Sequence, residues 1–111
     1  MKKLKRRAEL LIGSVKVGCW CVEPHVYIVD AVDLLVCVGL GQKFARDIIC
    51  TPVVDDFTFD AGDGDPAIFW KDVFAFLRHL GLLNFITKEQ YDKFLVDFTR
   101  AWNLRQLLLS S

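Results

Sequence analysis

The sequence predicts an α+β fold: a small N-terminal β-hairpin and short helices packed on a C-terminal αα-hairpin. Three observations carry that expectation. Apolar residues alternate with others over residues 14–22, the period of a strand. Apolar residues recur at helical spacing through residues 66–80 and again through 88–102. The 111 residues are 53% hydrophobic and 25% charged, enough for one domain, expected to span residues 1–111. That composition excludes a disordered chain, which would combine low hydrophobicity with high net charge.

Taken in order, residues 3–12 have the spacing of a short amphipathic helix that stops near Gly13. Val15, Val17, Cys19 and Cys21 then alternate with Lys16, Gly18 and Trp20 as a strand, broken by Glu23-Pro24. The segment His25 to Val29 is β-branched and aromatic, and returns as the second strand of the hairpin. Asp30 has the chemistry of an N-cap for a helix over 31–38, although Leu34 to Val38 is apolar all round and also suits a buried strand. Gly39-Leu40-Gly41 ends that element, and residues 42–50 form a second short helix. Pro52 to Gly64 is irregular, with Phe57 and Phe59 as a brief strand edge. Asp65-Pro66 has the form of a helix start, an acceptor followed by a proline whose missing N–H costs nothing, and the helix is expected to run to Leu80 with Gly81 just past its end. The last helix has Thr87 as cap and Gln90 three residues on, a capping box. Tyr91, Phe94, Leu95, Phe98 and Trp102 form its apolar stripe.

Fourteen basic and fourteen acidic residues cancel, but they are segregated. Lys2, Lys3, Lys5, Arg6 and Arg7 make a basic tip; Asp55, Asp56, Asp60, Asp63 and Asp65 make an acidic stretch. A sequence pI near 6.7 is not that of a domain-wide nucleic-acid binder. The basic opening resembles the start of a signal peptide, but Glu9 and Lys16 interrupt its apolar part and no uncharged run nears the ~20 residues a membrane span needs. The expected location is the cytoplasm, with no membrane partner.

Chemistry-bearing clusters are sparse. Cys19-x-Cys21-x3-His25, completed by Cys37 or Cys50, has tetrahedral zinc-ligand types, but one intervening residue is shorter than the usual two to four. On a strand the two thiols would instead point into the core as small hydrophobes, so no metal is expected. Asp60-x-x-Asp63-x-Asp65 has carboxylates for a hard cation, in the wrong register and without the closing glutamate. Gly39-x-Gly41 lacks the third glycine and the lysine of a phosphate loop, and no Ser or Cys sits in a nucleophile elbow. The chain is therefore expected to have no catalytic residues, no cofactor and no small-molecule substrate.

Leu34, Val38, Gly39, Leu40, Ala45 and Ile48 fit a helix-turn-helix template, with Gln42, Lys43 and Arg46 on the second helix. Val29, Asp30, Ala31, Asp33, Leu34, Gly39, Gly41, Phe44 and Ile48 match the pattern of a phage antirepressor module, and the stretch 29–49 resembles the N-terminal module of AntA-type antirepressors. The resemblance covers about a fifth of the chain and departs from the pattern at Leu35, Val36 and Asp47. It implies a phage or mobile-element accessory protein acting in the host cytoplasm, and a DNA-binding regulator using Gln42, Lys43 and Arg46 with Lys2, Lys3, Arg6 and Arg7.

Three Trp and nine Phe in so short a chain fit either of two readings, an exposed apolar patch, the usual mark of a protein interface, or one aromatic core that packs them all inside. The first functional expectation is a non-enzymatic protein-interaction module, for instance an inhibitor of a host protein, that binds another protein or its own copies through apolar helix faces and an acidic loop. Its residues are Asp55, Asp56, Asp60, Asp63, Trp70 and Trp102. The alternative is the antirepressor-type DNA-binding regulator.

Overall fold

The computed structural model describes the backbone of residues 7–23, 26–61, 64 and 66–110, and their side chains except at residues 7, 8, 21–23, 26, 102 and 104–110. Five antiparallel strands form one sheet: β1 (Arg7–Ile12), β2 (Val15–Glu23), β3 (Val26–Asp30), β4 (Thr58–Asp60) and β5 (Pro66–Phe69), in the spatial order β1-β2-β3-β5-β4. Four helices accompany it: α1 (Ala31–Val38), α2 (Gln42–Ile49), α3 (Val73–Leu82) and α4 (Lys88–Ser110). Single 3-10 turns cover Pro52–Val54 and Trp70–Asp72. The fold is α+β, as the patterning predicted, and the expected hairpin is the central part of a larger sheet.

Alternation along each strand sorts its side chains to two sides. Leu10, Ile12, Val17, Val29 and Ile68 point to the helices and join Leu34, Leu35, Phe76, Leu80, Phe94 and Phe98 in the main core. Trp20, Ile28 and Ala67 point the other way and form a smaller cluster with Ala61 and Phe59. Register explains the second cluster: Trp20 lies opposite Ile28, and Ile28 opposite Phe69. The sequence therefore buries apolar groups on both sides of the central strands, and Trp20 is only 6% exposed.

Three expectations are corrected. Residues 3–12 do not form a helix where they are described; Arg7–Ile12 is strand β1, closed onto β2 by a two-residue turn in which Gly13 takes φ 63°. Leu10 and Ile12 satisfy a strand's period, and both are buried. Pro66 opens strand β5, not a helix, because Ala67 and Ile68 complete the ladders to β3 and β4; a proline is tolerated at the first residue of a strand. The helix begins only at Val73 and runs through Gly81 to Leu82. Asp65, the expected cap, lies outside the described residues. Residues 31–38, open between helix and strand in the sequence, are helix α1.

Candidate functional site

The α1–α2 corner is fixed by its caps. The Asp33 N–H donates to Asp30 Oδ1 at 3.0 Å, and Gly18 N–H donates to Asp33 Oδ2 at 2.9 Å, so both carboxylates tie α1 to the sheet. Asp30 is 7% exposed. Gly39 takes φ 116° at the end of α1; its N–H donates to the Val36 carbonyl and the Leu40 N–H to the Leu35 carbonyl, the paired bonds of a Schellman motif. Beside this corner lies a cleft of about 440 Å³ whose lining includes Asp30, Asp33, Gln42, Arg46 and Cys50. Gln42 and Arg46, two of the side chains expected to read DNA, thus share a cleft with two carboxylates, which repel phosphate. Lys43 is exposed.

The cysteines divide by environment. Cys37 lies with its Sγ 3.6 Å from the Ile12 carbonyl, and burial pushes its thiol up from 9.0 to about 12; the Asp97 carboxylate adds to the effect and Lys93 opposes it. Cys19 packs against the main core and Cys50 is exposed. Cys37 and Cys50 are free thiols, and no group of metal-ligating side chains occurs among the described residues. The side chains of Cys21 and His25 lie outside them.

The α3–α4 corner repeats the architecture with different chemistry. Asn84 takes φ 65°; its N–H donates to the Gly81 carbonyl at 3.1 Å and the Phe85 N–H to the Leu80 carbonyl at 3.0 Å. The capping box then starts α4: Gln90 N–H donates to Thr87 Oγ1 at 3.1 Å, and Thr87 N–H to Gln90 Oε1 at 2.8 Å. Between the helices runs an apolar groove of about 380 Å³, lined by Leu77, Gly81, Leu82, Ile86 and Tyr91 and edged by Arg78 and Lys88. Gly81 leaves the groove floor open, since a Cβ there would meet only Ile86 Cγ1, at 4.0 Å.

Leu82 stands on the crest beside this groove and is 83% exposed. On the far flank of α3, His79 Nε2 lies 3.0 Å from the Val53 carbonyl, and the His79 ring tilts on Phe57 with centroids 5.4 Å apart. Val53, Leu83 and Phe44 are also exposed, and Phe44 packs edge-on to Phe85 at 6.2 Å. Exposed apolar side chains from α2, the 3-10 turn and the end of α3 thus gather around one corner. Isolated exposed leucines need no explanation; Leu82 is set apart because it also lines an apolar groove, the kind of surface an interface uses.

Of the residues expected at a partner surface, Asp55 and Asp56 are exposed on the turn after Val53, beside this corner. Asp60 is exposed at the end of β4, in a different part of the fold. Trp70 is half-buried and stacks on Phe98 at 4.4 Å, which makes it part of the aromatic packing between the 3-10 turn and α4. Asp63 and the side chain of Trp102 lie outside the described residues, as do Lys2, Lys3, Arg6 and the side chain of Arg7. The sequence reading missed Phe44, Val53, Gly81, Leu82 and Leu83. Leu82-Leu83 directly after a helical stripe was the available signal, hidden by taking Gly81 as the helix end. No helix among the described residues is long and apolar enough to cross a membrane. Comparison with protein-family models, with curated proteins and with solved structures gives no match.

Proposed function

We propose that this chain is a non-enzymatic protein-interaction module that docks through the α3–α4 corner. The observation that carries the reading is Leu82, 83% exposed beside an apolar groove with an open floor. A leucine so placed contributes nothing to the core, and covering it with a partner removes apolar surface from water at about 25 cal/mol per Å². The exposed Asp55 and Asp56 on one flank and Arg78 and Lys88 on the other supply the polar rim that interfaces carry.

The test is capture from a lysate of the source cells by the tagged chain, alongside Leu82→Asp and Lys43→Glu. The expected result is a specific partner retained by the wild type and by Lys43→Glu and lost with Leu82→Asp. Retention by all three, or by none, overturns the reading.

One observation favours a second reading: α1 and α2, each eight residues long, meet at a left-handed Gly39, as a helix-turn-helix pair would. A DNA-binding regulator predicts duplex affinity that falls steeply with salt and drops on Lys43→Glu. The carboxylates beside Gln42 and Arg46 weigh against it.

A further inference from the structure

We draw no further inference here: the strongest candidate, the apolar groove between α3 and α4 bordered by Gly81 and Leu82, belongs to the surface already described, and nothing in the structure shows what covers it.

Discussion

At Gly39 and at Asn84 the chain turns in the same way. A helix ends in a left-handed residue, the N–H groups of that residue and the one after it return to the last turn, and a new helix starts within a few residues. What differs is the chemistry at the surface. Around the Gly39 corner the cleft is lined by Asp30, Asp33, Gln42 and Arg46, and the carboxylates are engaged as backbone caps. Around the Asn84 corner the groove is lined by leucine, isoleucine and tyrosine, and Leu82 projects into solvent. The backbone motif therefore does not decide function. The residues that flank it differ, so that the first corner is a structural joint and the second carries the proposed docking surface.

The comparison can be broken by substitution, starting where the effect is largest. Phe94→Ala, which empties a buried site that α4 shares with Phe74 and Phe98, is expected to cost about 3–5 kcal/mol in denaturant unfolding. Asp30→Ala removes a buried cap and is expected to cost about 1–2 kcal/mol, against roughly 1 kcal/mol or less for Thr87→Ala at the exposed cap of α4. Equal losses at the two caps would contradict the assignment of the first corner as the structural one.

Gly39→Ala is expected to cost about 1–2 kcal/mol, because its φ of 116° is strained for an L residue and the new Cβ would lie 3.2 Å from Gln90 Nε2. Gly81→Ala runs the other way. Its site is helical and open, so helix propensity alone should raise stability by about 0.5–1 kcal/mol. A loss at Gly81 would mean that the groove floor is already filled.

The smallest expected effect at neutral pH concerns the thiols. With its thiol pushed up to about 12, Cys37 stays protonated at pH 8 and should resist alkylation in the native protein, while the exposed Cys50 reacts. The unfolded thiol releases its proton near 9 and the folded one does not, so stability is unaffected below pH 9 and declines as pH rises from 9 toward 12. Mass spectrometry of alkylated native protein checks the first part, and melts at pH 7, 9 and 10 check the second.

Much of this was legible in the residues. Period-two alternation located β2, the capping-box pair Thr87 and Gln90 located α4, and Asp30 and Gly39 bracketed α1. Two failures share a cause. Residues 7–12 satisfy either period over so few positions, and Asp65-Pro66 satisfies a helix-start rule that takes no account of the ladder partners β3 and β4 bring to Pro66–Phe69. Long-range pairing settled both, and local pattern carries no information about it.

The docking corner was hidden for a related reason. Whether Leu82 is core or surface depends on α3 running past Gly81 to Leu82, and a glycine so near the helix end reads locally as its stop. Trp70, by contrast, stood out by residue type and is packed on Phe98. Abundance of aromatics suited an exposed patch as well as a core, and the most exposed apolar group is aliphatic.

The contrast between the two corners is tested most directly by photo-crosslinking from a probe residue placed at position 82 and, in a separate sample, at position 46. A docking surface at the α3–α4 corner predicts protein adducts from position 82 and none from position 46. Adducts from position 46 to protein or duplex DNA, with none from position 82, would contradict it.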